Sequence, residues 1–581
     1  MPQKKIHRSR PVLRIVMRAL LTLAALHAPQ LQAQFDPERA YKQSAEVRQR
    51  YPDPQIVYDT PGLRPGRQDF TSHEEMLAFT ENLARRSDVV KLRRIGTSQE
   101  GRAMPVLVLS ADAVQTGVQA RRLGRPVVVM AGLQHGNEPA GGEAMLALAQ
   151  ELATGRLRPL LDKLTVVIVP HSNPDGAYYF RRSPYSTTDI NRDHVKLDLP
   201  ETRAIHRVVN EFEPQLFIDA HEFSVANRWI EKFGAIQSYD LMVQYATNPN
   251  VHPSLTALAD GKFMTGFREA ADRAAYSHFW YYTTSYNMKN LLVSMGGTTP
   301  DIGRNFGGLQ NAVSFLIESR GVGIGRENFG RRVHSQVVSI SSLLETAAAN
   351  ARELMDTVAA ARADTVRRGR DPQPGDMVAV RLKSPVVKQK LDMLDPVSGA
   401  IKVIEVDWSD SLNVAAEIAR QRPWAYVLPP VFHEVAERLA MSGVEVRRLA
   451  KPVELEVESF QVTERRASAT FIEGRITHQV STEVVAKKAR FPAGSYVFPM
   501  AQANAGVVAV ALEPESPSSF VSFGMIPVDK RGSPVTASAP SEVPVYRVLR
   551  PVELEFMRGV RAPSPWPRGA PVFFDEVGAP R

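Results

Sequence analysis

The sequence predicts an α/β fold, a mixed and mostly parallel sheet flanked by helices, followed by a β-rich C-terminal domain. Two observations carry that prediction. Near-continuous apolar runs, "PVVVMAG" (126–132), "LTVVIVP" (164–170) and "QLFIDAHE" (215–222), alternate with helix-patterned segments. Parallel strands covered on both faces read this way. Beyond residue 370 the pattern changes to short alternating runs between turns, which predicts strands paired as hairpins.

Taken in order, residues 1–33 carry six basic residues and no acid, then "ALLTLAALHA" (19–28) and a small residue at Ala33. This reads as a signal peptide, and it holds six of the nine net positive charges of the 581-residue chain. The remainder is close to neutral, so composition makes no case for nucleic acid as a partner. No later stretch reads as a membrane anchor. Cysteine is absent, which excludes disulfides, thiolate metal sites and cysteine nucleophiles. An exported chain without disulfides fits a bacterial periplasm or exterior. Any transition-metal site must be built from His, Asp and Glu.

A chain this long exceeds one core, and the reading divides it into 34–370 and 371–581. After a proline-bearing approach (34–66), "SHEEMLAFTENLARR" has helical spacing and an N-cap in Ser72. "MPVLVLS" (104–110) predicts a strand, Gly142–Ala153 and Pro200–Glu211 predict helices, and Val333–Arg368 predicts one long helix. "RRGRDPQPGD" then marks the boundary. Past it, "DMVAVRLKS", "PVELEVESFQV", "ASATFIEGRI", "STEVVAKKARF" and "GVVAVALEP" predict strands, with a helix near Val431–Met441 ahead of Gly443.

The chemistry starts where the strand 126–132 stops. His135 and Glu138 follow in a glycine-flanked loop, and of the 13 histidines only His135 has a glutamate three residues on. Residues so spaced share a face if a helical turn begins there. An imidazole and a carboxylate are two of the three protein ligands of a catalytic zinc site. The third candidate is His221, at the end of another apolar strand, because ligands gather outside the carboxyl ends of such strands. Asp219 shares its strand face and can orient its imidazole. His171 lacks an acid arranged this way, and His194, beside Asp193, reads as solvated or structural.

Between these segments lie Asn-Pro-Asp-Gly (173–176), Asn191-Arg192 and Glu201-x-Arg203. The order HxxE, Asn-Pro-Asp-Gly, Asn-Arg, Glu-x-Arg and a strand ending in His resembles the zinc carboxypeptidase family, the M14 peptidases, over about residues 70–330. The resemblance implies one zinc on His135, Glu138 and His221. It implies Asn191 and Arg192 as the grip on a substrate carboxylate, a geometry guanidinium suits. It implies Arg182, nine residues from both Asn173 and Asn191, as the transition-state arginine in preference to Arg181. Glu318, closing "NAVSFLIE", takes the place of the general base.

One departure accompanies it. The family's substrate-capping tyrosine has no counterpart in "SMGGTTPDIGRNFGGL" (294–309); Tyr281, Tyr282 and Tyr286 lie upstream as candidates. The implied function is zinc-dependent hydrolysis of peptide bonds near a free carboxylate. Two substrate alternatives stay open, peptidoglycan stem peptides and acyl amino acids, the latter because "HGNE" is also similar to the aspartoacylase group. A binding protein that has kept the fold is the non-enzymatic alternative.

Overall fold

The computed structural model describes residues 35–56, 58–184, 186–528 and 541–557. The segment read as a signal peptide lies outside the described residues. Eight strands form the central sheet: β1 (Val90–Thr97), β2 (Ala103–Leu109), β3 (Val127–Gly132), β4 (Thr165–Val169), β5 (Leu216–Ser224), β6 (Leu241–Tyr245), β7 (His278–Trp280) and β8 (Val313–Val322). Their order is β1-β2-β4-β3-β5-β8-β6-β7. The inner pairs β4/β3, β3/β5 and β5/β8 are parallel, as is the edge pair β6/β7. The remaining pairs, β1/β2, β2/β4 and β8/β6, are antiparallel.

Strict alternation divides each inner strand between two cores. Val128 and Met130 of β3 enter one apolar cluster with Leu148, Leu152, Val333 and Ile340. Val127, Val129 and Ala131 enter the other with Ile205, Val208 and Phe212. Helices α2 (Pro139–Thr154) and α4 (Phe329–Ala349) therefore cover one face, and α3 (Pro200–Phe212) the other. Helix α1 (His73–Arg86) starts at Ser72 through a capping box with Glu75. This is the helix-flanked mixed sheet that the apolar runs predict.

Three elements differ from the sequence reading. "ASATFIEGRI" is not a strand but the loop between the strands Val453–Ala467 and His478–Phe491, because Glu473 and Gly474 turn the chain at positive φ. The helix predicted over Val333–Arg368 is two, α4 and α5 (Ala351–Arg370), broken at Asn350, whose backbone turns to φ −114° and ψ 30°. "GVVAVALEP" is a helix at Ala505–Leu512, not a strand. Nearly every side chain in it is buried, so its apolar run has no period that separates helix from strand.

Beyond Arg370 the hairpin β9 (Val386–Leu394) and β10 (Ile401–Ser409) joins strands from before that residue. β10 pairs in parallel with Leu292–Met295, and β9 pairs with Ile236–Gln237. A six-stranded sheet follows, whose longest hairpin is β11 (Val453–Ala467) and β12 (His478–Phe491). Arg438 from the helix His433–Met441 bonds Asp198 at 2.8 Å, and Leu354 and Val358 of α5 share an apolar cluster with Val507, Val508 and Phe498.

Candidate active site

Strand β3 ends in Gly132, and Leu133 turns to φ 55°. Gly136 then passes so close to the Asn173–Tyr178 turn that a Cβ on it would stand 1.9 Å from the Gly176 carbonyl carbon. Only glycine fits there. Glu138 occupies the cap position of α2 with Pro139 behind it, where a missing N–H costs nothing. The loop thus aims two buried side chains, His135 and Glu138, at one point.

His221 reaches the same point from β5. Its Nδ1 lies 2.9 Å from Glu138 Oε2 and 3.0 Å from His135 Nδ1. His135 Nδ1 lies 2.8 Å from Glu138 Oε1. Each ring is held from behind by an aspartate: His221 Nε2 is 2.8 Å from Asp219 Oδ1, and His135 Nε2 is 3.0 Å from Asp189 Oδ1. With the Nε2 protons committed to those carboxylates, both Nδ1 lone pairs and the Glu138 oxygens face one another. Such a donor set suits a dication. Ligands about 2.0–2.1 Å from a tetrahedral centre stand about 3.3 Å apart, and the three side chains here need open only slightly. Among the described residues, His135, Glu138 and His221 form a group whose ligand atoms lie within 4.8 Å of one another.

Electrostatics follows from this crowding. Burial alone would raise Glu138, but His135 and His221 hold it well below the carboxylate range. Burial alone would lower His221, and the Asp219 and Glu138 carboxylates carry it well above the usual imidazole value. Glu318 is in direct parallel register with His221 on the neighbouring strand β8, so both point to the same side. Burial, and then the Glu138 charge, lift its carboxyl to about 8. Its Oε2 is buried without a hydrogen-bond partner.

Asn173 supports the opposite wall. Its Oδ1 accepts from Gly176 N–H at 2.7 Å, and its Nδ2 donates to the carbonyls of Gln134 and Arg182 at 3.0 Å each. The Asn-Pro-Asp-Gly turn therefore ties the His135 loop to the Arg182 backbone. Arg182 Nη1 approaches Glu138 Oε1 at 3.4 Å, and its Nη2 meets Asp189 Oδ2 at 2.8 Å. Arg181 instead lies over the Tyr179 ring. Asn191 Oδ1 accepts from Gly303 N–H at 2.6 Å, and its Nδ2 stands 3.1 Å from His221 Nε2. That nitrogen carries the proton given to Asp219, which leaves the Asn191 amide a donor to spare. Arg192 Nη1 donates to the Asn191 carbonyl at 2.6 Å. Its side chain lines a cavity of about 730 Å³ with Thr298, Asp301, Arg381, Glu464 and Glu473.

Of the tyrosines, Tyr281 is the one that the charges of the site reach. Burial raises it, Glu318 raises it further, and Arg182 and Arg192 act in the opposite sense. Tyr282 is fully buried in a cluster with Trp229 and Trp408, against which Tyr281 also packs, and Tyr286 is exposed against Arg228. His194 is not solvated: it is fully buried, with Nε2 3.1 Å from Gln134 Oε1 and Nδ1 3.2 Å from His206 Nε2. Burial lowers His194 to about 4 and His171 to about 3, so neither is a charged group of the site. Sequence reasoning passed over Asp189, whose imidazole partner His135 lies 54 residues away and shares no strand with it.

Comparison with known proteins bears on this arrangement. The pattern of the family described as zinc carboxypeptidase matches residues 76–327. Carboxypeptidase 2 of Trichophyton equinum is 32% identical over 543 residues, covering 91% of this chain and 98% of that protein. The chain belongs to the zinc carboxypeptidase family. This carboxypeptidase is 33% identical to carboxypeptidase 2 of Trichophyton rubrum over 472 residues, 81% of this chain and 86% of that one. A metallo-carboxypeptidase structure from Pseudomonas aeruginosa aligns with a TM-score of 0.35 and 19% identity, over 49% of this chain and 69% of that one. As a family member the protein is a metallopeptidase-type hydrolase acting on peptides. Among the described residues no helix is long and apolar enough to cross a membrane.

Proposed function

We propose that this carboxypeptidase hydrolyses the peptide bond next to a free carboxylate, with one zinc on His135, Glu138 and His221. The observation that carries the reading is the convergence of two anchored imidazole Nδ1 atoms and one carboxylate within 3.0 Å of each other, with Glu318 beside them in register. Zinc, when bound, supplies a Lewis acid and lowers the pKa of water to about 7.

The chain's own residues divide the rest. Arg192, with Asn191 Nδ2, takes the substrate's carboxylate and sets the scissile bond against the three ligands. Arg182 Nη1 donates to the carbonyl oxygen as negative charge develops on it; one such donor contributes about 2.7–4 kcal/mol. Glu318 accepts the proton of the attacking water and returns it to the leaving amine. Tyr281 closes the same space and is the candidate cap on the substrate. Export across the membrane is supported by the basic and apolar pattern of residues 1–33.

The test is product analysis by mass spectrometry on peptides with free and with amidated carboxyl ends, beside stem peptides and acyl amino acids. Release of the terminal residue from the free acids, and not from the amides, is expected. Cleavage of acyl amino acids alone would transfer the chain to the amidohydrolase reading.

A further inference from the structure

The tip of the β11–β12 hairpin lies far along the chain from the motifs, yet it touches the site. At its end Ile472 and Arg475 exchange both backbone bonds, 2.7 and 3.0 Å, around the two residues Glu473 and Gly474, at φ 49° and 79°. Positive φ at both central positions is a type I′ turn, which favours Asn-Gly, Asp-Gly or Gly-Gly. Glutamate is out of place there: its backbone is strained, and strain kept at one position calls for a reason.

A contact supplies that reason. Glu473 Oε2 accepts from the Asp189 backbone N–H at 2.7 Å. Asp189 in turn spends Oδ1 on His135 Nε2 and Oδ2 on Arg182. The tip is pinned for this contact on either side. Arg475 forks onto Asp198 at 2.7 and 2.8 Å, and Gly474 passes so near Thr188 that a Cβ would stand 2.6 Å from its hydroxyl. Flanking Phe471 and Ile472 are exposed, so apolar burial does not explain the seating of the tip.

We propose that Glu473 is a positioning residue of the catalytic site. It fixes the Asp189 backbone and, through the Asp189 carboxylate, the Arg182 guanidinium and the His135 ring. The C-terminal half thus completes the site. The inference rests on the proposed role of Arg182 in catalysis.

The turn chemistry makes the test sharp, because the substitutions that suit the fold are the ones that lose the contact. Glu473→Asn and Glu473→Gly both relax the type I′ turn, but the first is one carbon short and the second has no acceptor. Their melting temperatures should equal or exceed wild type. Their kcat on a peptide with a free carboxylate should fall about ten-fold, with KM nearly unchanged. Their zinc affinity, read by competition against a chromophoric chelator on metal-free protein, should weaken several-fold, in line with outer partners of metal ligands elsewhere. Glu473→Gln keeps the reach and a carbonyl acceptor, and should restore both readouts to within about three-fold of wild type. Wild-type turnover and zinc affinity in the Asn and Gly variants, or a Gln variant as impaired as the Gly one, overturns the assignment. Arg182→Ala, run alongside, separates the two claims. If it is fully active, the catalytic reading falls; if it is impaired while the Glu473 variants are normal, only this inference falls.

Discussion

The Nδ1 atoms of His135 and His221 stand 3.0 Å apart, one at each oxygen of the Glu138 carboxylate. Lone pairs so placed repel unless a proton or a cation lies among them, and Asp189 and Asp219 already hold the rings by their other nitrogens. Purified protein should therefore contain about one zinc per chain, and His135→Ala and His221→Ala should lose it by elemental analysis. Chelation should lower the melting temperature. At free zinc about 100 times its dissociation constant, the gain in stability should be about 2.7 kcal/mol. A melting temperature indifferent to zinc would count against the site.

Glu318 makes a separable prediction. Its carboxyl is buried, raised to about 8, and left with an unpaired oxygen, which is a costly arrangement unless a proton is to be moved there. Glu318→Gln preserves the shape and removes the base. Turnover should fall by about 10²–10⁴-fold, while zinc content and KM stay near wild type, because a group acting only in the transition state leaves ground-state binding alone. Steady-state kinetics beside metal analysis decides it.

Much of this site was legible because apolar runs announce buried strands: β3 stops three residues before His135, and His221 lies near the end of β5, which runs on to Ser224. What the sequence hides is partnership at a distance. Asp189 meets His135 across 54 residues, and Glu473 meets Asp189 across 284. No local period connects them. Choosing Tyr281 over its neighbour Tyr282 required knowing which ring is buried with Trp229 and Trp408, since adjacent residues in extended chain face opposite ways. The helix at Ala505–Leu512 escaped for the reverse reason, because burial on all sides erases the contrast that reveals a helix.

Glu201, from the Glu-x-Arg pair, has a structural task with a pH signature. It is buried, accepts from the Gln99 N–H at 2.9 Å, and leaves Oε2 unpaired. Burial lifts its carboxyl from an ordinary 4.5 to about 7. Between those values the folded chain holds a proton that the unfolded chain has released, so stability from this group is lost as pH rises through the window. Glu201→Gln carries no such proton. Its stability relative to wild type should shift in the variant's favour by on the order of 2–3 kcal/mol across that window. Denaturant melts of the two metal-free proteins at both ends of the window measure the shift, and a constant difference would show that Glu201 does not titrate there.

Arg192 tests the exopeptidase reading most directly. Its guanidinium is tethered at 2.6 Å to the carbonyl of Asn191, the residue that stands against His221, and Arg192 lines the cavity. A planar fork can hold both oxygens of a carboxylate, whereas a lysine ammonium acts as a point charge. A hydrogen bond to a charged group contributes about 1.5–3 kcal/mol, so Arg192→Ala should lower kcat/KM on a free-acid peptide by about 10–150-fold. The loss should sit mainly in KM, since the carboxylate is held alike in the ground and transition states. Arg192→Lys should recover part of it. The deciding comparison is the amidated peptide, which offers no carboxylate: its slow cleavage should be nearly the same in wild type and variant. An equal loss on acid and amide would instead make Arg192 a support for the Asn191 turn, and the anchor would have to be sought among the other groups of the cavity.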